Sequence, residues 1–213
     1  MRAILYWRVG SMKTKIINSS MNLIKKNGNY SEEKLAEIKY GLEGVYLTIS
    51  KLIIIGLMAY ILSIFKEMII FLIIYNVIRT TSFGLHATKS WICLLSSSII
   101  FIIFPFICKY LFISNYLKVI IGLILILLIY KNAPADTHKR PIINPKRRLF
   151  FKYTSTFIAI IFVYCSLFVS NNFVSNCFIL SLLVQSFMIS PTVYKIFNLP
   201  YNNYLAYLKN SDI

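Results

Sequence analysis

The chain has 213 residues, 58% hydrophobic and 14% charged, with a mean hydropathy of +0.69 and 23 lysines and arginines against 7 acids, a net charge of +16. A soluble domain is about 45–50% apolar, so this composition excludes a water-soluble globule and indicates one membrane-embedded domain. Because the apolar residues fall in long blocks, the basic excess reads as membrane orientation and attraction to anionic headgroups or an acidic peptide, not as nucleic-acid binding.

The residues before Met12 are assigned no function. From Met12 to Lys26, Ile16, Ile17, Met21, Leu23 and Ile24 recur at helical spacing against Lys13, Lys15, Lys25 and Lys26. That pattern predicts an amphipathic helix lying in the membrane surface. Asn27-Gly28-Asn29 ends it. Ser31 then offers an N-cap, and Glu32 and Glu33 complement the positive end of the helix dipole, so a second helix starts near Glu32 and runs toward the bilayer. No cleavable signal peptide is expected, because this region lacks a continuous apolar core.

Six apolar blocks follow: Tyr46–Phe65, Met68–Ile78, Trp91–Ile113, Tyr116–Tyr130, Tyr153–Ser170 and Phe173–Phe197. A hydrocarbon core needs about 20 residues of helix, and the second block is short for that. Turns are expected at Lys66-Glu67, Ser114-Asn115 and Asn171-Asn172, and Pro105 should kink the third block. The N-terminal lysines, the Arg79–Lys89 passage, the Lys131–Lys152 connection and Lys209 all fall on one side of such a six-span chain. The positive-inside rule makes that side cytoplasmic, with both termini there. The expected fold is thus all-α and polytopic: an extension and interfacial helix over residues 1–30, an embedded domain over 31–199 and a cytoplasmic tail over 200–213.

Cys108, Cys165 and Cys177 lie inside apolar runs, where cysteine behaves as a small buried hydrophobe. No disulfide framework, metal-ligand spacing or cofactor motif is present. Cys93 differs, since it closes the polar passage RTTSFGLHATKSWIC, with His86 seven residues before it. A thiolate is a strong nucleophile and an imidazole can generate one. Seven residues of unbroken helix would separate the two by about 10 Å along the axis, beyond the roughly 3 Å reach of a base. A dyad therefore requires a break in the helix between them. Gly84 and the N-cap candidate Ser90 supply one, and Cys93 would then lie in a first turn whose dipole favours a thiolate.

Arg79, Gly84, His86-Ala87 and Cys93 form the pattern R-x4-G-x-H-A-x5-C. It resembles the signature of the accessory gene regulator protein B family, membrane peptidases of Gram-positive quorum sensing. Tyr40-Gly41-Leu42-Glu43 resembles that family's stretch before its first span. Ala133-Pro134-Ala135-Asp136-Thr137, followed by Lys139-Arg140-Pro141-Ile142, resembles its loop motif. The match runs in order from about residue 31 to 197.

The resemblance implies a cysteine endopeptidase of the bacterial cell membrane. Cys93 would be the nucleophile and His86 its base, cutting a propeptide similar to accessory gene regulator protein D on its C-terminal side. The implied acyl-enzyme is a thioester that a Cys or Ser of the peptide attacks, closing a thiolactone or lactone. A homodimer and a substrate with an acidic tail are implied in the same way.

For a third group that orients the imidazole, Asp136 and Glu43 are the candidates, each of which equally serves as a local charge partner. Arg79 is open to three roles: oxyanion donor, carboxylate binder or snorkelling anchor. Gly84 and Arg140 enter as supporting or substrate-binding positions through their motifs. His138 is a rival base outside the matched positions. The competing classes are a small transporter or channel subunit and a basic membrane anchor for an acidic partner, neither of which needs Cys93.

Overall fold

A computed structural model describes residues 2–28, 30–85, 90–137, 141–205 and 207, and in residues 2–12 and 90 the backbone only. The chain forms two compact units, Met1–Ile54 and Ile55–Ile213. Most of the described residues are helical and none forms a strand beyond an isolated bridge, so the all-α expectation holds.

In the first unit, α1 (Arg2–Asn27) begins earlier than the periodicity from Met12 predicts. Ile17 and Met21 are buried while Lys15, Lys25 and Lys26 are exposed. α2 (Glu32–Ile61) starts where Ser31 predicts, and the Ser31 hydroxyl accepts the Lys34 N–H at 3.3 Å. Glu43 on α2 pairs with Lys13 at 2.7 Å.

α2 continues unbroken to Ile61 in the second unit. The turn after it is Leu62-Ser63-Ile64, with Ser63 at φ 56°, and not Lys66-Glu67. Those two charges open α3 (Phe65–Ser82) instead, where Glu67 suits the helix N-terminus and pairs with Lys109 at 2.7 Å. By taking in Lys66, Glu67 and Arg79, α3 becomes longer than its apolar block.

The third block is one continuous helical stretch built of α4 (Ser90–Ser98), a π-helical segment (Ile99–Ile103) and α5 (Phe104–Tyr110). Proline lacks the N–H that an α-turn needs and crowds the carbonyl four residues back. The wider π turn just ahead of Pro105 absorbs that mismatch, so the expected irregularity takes this form.

α6 (Asn115–Asn132) is capped by Ser114, whose hydroxyl accepts the Leu117 N–H. α7 (Pro145–Phe168) starts eight positions before the predicted block, which corrects the reading of Lys146, Arg147, Arg148 and Lys152 as loop residues. The cause is local: Asn144 Oδ1 accepts the N–H groups of Lys146 and Arg147 at 3.0 and 3.3 Å, and Pro145 is preorganised for a first helical turn.

The sixth block divides into α8 (Asn172–Met188) and α9 (Pro191–Ile196), because the residue before a proline is driven out of helical geometry. Glu32–Ile61, Trp91–Tyr110, Asn115–Asn132 and Pro145–Phe168 are long and apolar enough to cross a membrane. α8 is apolar but shorter, and α3 carries charges at both ends, so length and composition alone identify four of the six expected spans.

α8 packs against α3, α5, α6 and α7, and most of its residues are buried. In lipid the hydrophobic effect does not drive helices together, so close packing and hydrogen bonding must. Gly122 on α6 supplies close approach, since a Cβ there would lie 2.8 Å from Val163 of α7. Buried Ser155 and Ser181 are satisfied within their own helices, donating to the Phe151 carbonyl at 2.6 Å and to that of Phe178 at 2.9 Å. Lys118, in the first turn of α6, is buried and donates to the Ser175 hydroxyl at 2.7 Å, which in turn donates to the Ser166 carbonyl.

Candidate active site

The site grows out of the C-terminus of α3. Arg79 lies in the last turn, where a cation complements the helix dipole. Its guanidinium folds over the helix end: Nη1 donates to the Phe83 carbonyl at 2.6 Å, and Nη2 to those of Leu85 at 2.6 Å and Gly84 at 3.4 Å. Gln185 Nε2 of α8 reaches the same Phe83 carbonyl at 2.8 Å.

This clamp holds a backbone that would otherwise relax. Phe83 sits at φ 56°, a conformation that costs a non-glycine residue about 1–3 kcal/mol. Gly84 is at φ 106°, and a Cβ there would lie 2.7 Å from Arg79 Nη1, 2.9 Å from the Met188 carbonyl and 3.0 Å from Ile189 Cγ2. The glycine expected to break the helix is thus required both by its dihedral and by its neighbours. Residues 83–85 are non-helical, so no continuous helix joins Arg79 to Cys93.

The broken segment is then laced to two others. The Gly84 N–H donates to the Ala135 carbonyl at 2.8 Å and the Ala135 N–H to that of Ser82 at 3.1 Å, making Phe83 and Ala135 a parallel bridge. The Leu85 N–H donates to the Met188 carbonyl at 3.1 Å, at the end of α8. The motif Ala133–Thr137, entered through a cis Ala133–Pro134 bond, thereby lies beside the Gly84 motif although some fifty positions separate them.

Asp136 is buried, and its carboxylate is turned toward the chain's C-terminal segment. Oδ1 accepts the Asn203 N–H at 3.1 Å and Oδ2 that of Tyr204 at 2.9 Å, while Arg148 Nη1 lies 3.6 Å from Oδ2. The Tyr194 hydroxyl donates to the Asp136 carbonyl at 3.1 Å. Burial pushes the Tyr194 hydroxyl above its ordinary pKa, against the opposing charge of Arg79. Tyr201 is raised by burial as well, with Arg148 opposing. The start of the tail is therefore fastened to the loop motif.

Cys93 is half-buried on the opening turn of α4, and its carbonyl accepts the Ser96 hydroxyl at 3.2 Å. His86, Arg140 and the rival base His138 lie outside the described residues. Glu43 belongs to the first unit, where Lys13 is its partner.

One turn beyond Cys93, Ser96 borders a cavity of about 640 Å³ whose other walls include Ile100, Phe104, Leu125 and Val184. Its walls are mostly apolar and suit apolar groups. Ser186, also on its wall, has a buried hydroxyl with no hydrogen-bond partner among the described residues. Among the described residues no three His, Cys, Asp or Glu side chains come together as a metal site.

Gln185, Tyr194, Asn203 and Tyr204 join this constellation without having been singled out from sequence. Gln185 left a usable trace, a lone amide in an otherwise apolar stretch, which in a span needs a partner. The contacts between Asp136 and residues 203–204 left none.

The chain matches the family described as Accessory gene regulator B over residues 17–189. It is 30% identical to a putative AgrB-like protein of Clostridium acetobutylicum, over 82% of this chain and 83% of the relative. It is 31% identical to an accessory gene regulator protein B of Staphylococcus aureus strain MW2, over 84% and 94%. A putative AgrB-like protein of Listeria innocua is 28% identical over 83% and 86%. No solved structure matches it.

Proposed function

Because the chain belongs to the accessory gene regulator B family, we propose that it is a membrane-embedded cysteine endopeptidase of quorum sensing, acting on a propeptide similar to accessory gene regulator protein D. The observation that carries this reading is the break at residues 83–85, clamped by Arg79 immediately before His86, with Cys93 on the opening turn of the next helix.

His86 takes the proton of the Cys93 thiol as sulfur attacks the scissile carbonyl, and the N-terminus of α4 favours the negative charge that develops there. The same imidazole then protonates the departing amine, the C-terminal fragment leaves, and a thioester links Cys93 to the rest of the peptide. A Cys or Ser side chain of that peptide attacks the thioester, which closes the ring and regenerates the thiol. Water attack would give a linear peptide instead. The apolar cavity beside Ser96 accommodates hydrophobic residues of the substrate and favours ring closure by limiting water.

Arg79 acts here as a positioning residue, because its donors are engaged by the chain's own carbonyls. Asp136 positions the loop motif against Gly84, its oxygens accepting the N–H groups of Asn203 and Tyr204. The same reading puts the site on the cytoplasmic side, with the basic segments as its support through the positive-inside rule.

The test is processing of the cognate propeptide by the full chain in liposomes, comparing wild type with Cys93→Ala and His86→Ala. Both variants should lose cleavage while keeping their helix content. Undiminished processing by Cys93→Ala would remove the enzyme assignment.

A further inference from the structure

Away from Cys93, a second cavity of about 420 Å³ lies where α6 ends and α7 begins, lined by Lys131, Arg148, Lys152, Tyr201, Tyr204 and Pro134 among others. It holds three cations and no carboxylate. Asp136, behind Arg148, is too far for a hydrogen bond at 3.6 Å, and both its oxygens already accept backbone N–H groups. Arg148 Nη1 is consequently buried with no acceptor among the described residues.

Tyrosine rings orient two of these cations, and one carboxylate, in the 3.6 Å ion pair of Arg148 with Asp136, offsets only part of their charge. The Arg148 guanidinium lies 3.6 Å from the centre of the Tyr204 ring, and Lys152 Nζ 4.2 Å from that of Tyr130. Lys131 closes apolar α6 and Lys152 precedes the apolar body of α7, which sets the cavity at the edge of the hydrocarbon belt, where lipid phosphates lie. Arginine and lysine at such an edge match a phosphate oxyanion. A choline ammonium would meet the like charge of three cations, with no carboxylate in the lining to offset them.

We propose that this cavity is a binding site for the phosphodiester headgroup of an anionic phospholipid. Arg148 supplies the buried donor, Lys131 and Lys152 the flanking charge, and the two tyrosines the wall. The inference is independent of the peptidase reading, since it concerns binding alone.

The experiment is native mass spectrometry of the full chain in neutral detergent, titrated with short-chain phosphatidylglycerol and, in parallel, phosphatidylcholine. Competitors are inorganic phosphate, glycerol phosphate and a glutamate-rich peptide. Lys131→Gln/Lys152→Gln is compared with Lys25→Gln/Lys26→Gln, and thermal melts confirm that both fold. One phosphatidylglycerol should bind in preference to phosphatidylcholine, and the first double variant should weaken it about thirtyfold, at about 1 kcal/mol for each lysine near an anionic surface. The second should bind as wild type. Equal binding of the two lipids, or equal loss in both double variants, would overturn the proposal. Displacement by free phosphate would reassign the cavity to a soluble anion, and displacement by the peptide would reassign it to an acidic polypeptide; either result defeats the lipid assignment.

Discussion

Gly84→Ala should separate the geometry of the candidate site from its chemistry. At φ 106° an alanine is strained, and its Cβ would meet the Met188 carbonyl at 2.9 Å and Arg79 Nη1 at 2.7 Å. Non-glycine residues at such dihedrals cost about 1–3 kcal/mol. The arginine tip can move, but the Met188 carbonyl cannot without giving up its bond to the Leu85 N–H. Together these make a local penalty of about 2–4 kcal/mol. The chain will relieve it by shifting residues 83–85 rather than by unfolding α3 and α8. Those residues lead directly into His86, and a displacement of about 1 Å in a catalytic geometry costs about 10²-fold in rate. The assay is single-turnover cleavage of the propeptide at saturating substrate, with circular dichroism as the control for fold. A fall of about 10²-fold with native helix content is expected. Wild-type turnover by Gly84→Ala would refute the reasoning, because the required backbone could then not be the one described.

Arg79→Lys should also lower the cleavage rate without raising KM, since one ammonium cannot span the carbonyls of Phe83, Gly84 and Leu85; a rise in KM alone would return Arg79 to binding substrate. Asp136→Asn should loosen residues 201–205 and expose them to limited proteolysis, with a loss of about 2–3 kcal/mol in stability for hydrogen bonds to a charged group. An unchanged proteolysis pattern would contradict that fastening. Lys118→Met should be neutral or stabilising by about 1–3 kcal/mol in a thermal melt, because the buried ammonium loses more on desolvation than one hydroxyl returns, and a large destabilisation would show that the Lys118–Ser175 contact specifies the packing.

Where local chemistry sets the structure, it could be read from the sequence. The Ser31 cap, the start of α2 at Glu32, the glycine-dependent break after α3 and the disturbance at Pro105 each depend on a few neighbouring residues. The same logic holds at Asn144-Pro145, whose cap-and-proline pair starts α7 well inside the basic stretch. Lys66 and Glu67 misled because charges were taken as turn markers, whereas a helix N-terminus stabilises Glu67 and Lys109 completes its pairing. What lay beyond reach was set by long-range contact. Nothing near Asp136 in sequence announces Asn203 and Tyr204, and nothing near Gly84 announces Ala135 as its partner. The division of the last apolar block also followed from a single residue, Pro191, while its length alone suggested one full span.

The central claim is a covalent thioester at Cys93, and intact-mass spectrometry of the full chain quenched during reaction with its propeptide tests it most directly. The account predicts an adduct of the N-terminal peptide fragment, released by hydroxylamine and absent in Cys93→Ala. An adduct that persists in Cys93→Ala, or cleavage that proceeds without any thioester, would contradict it.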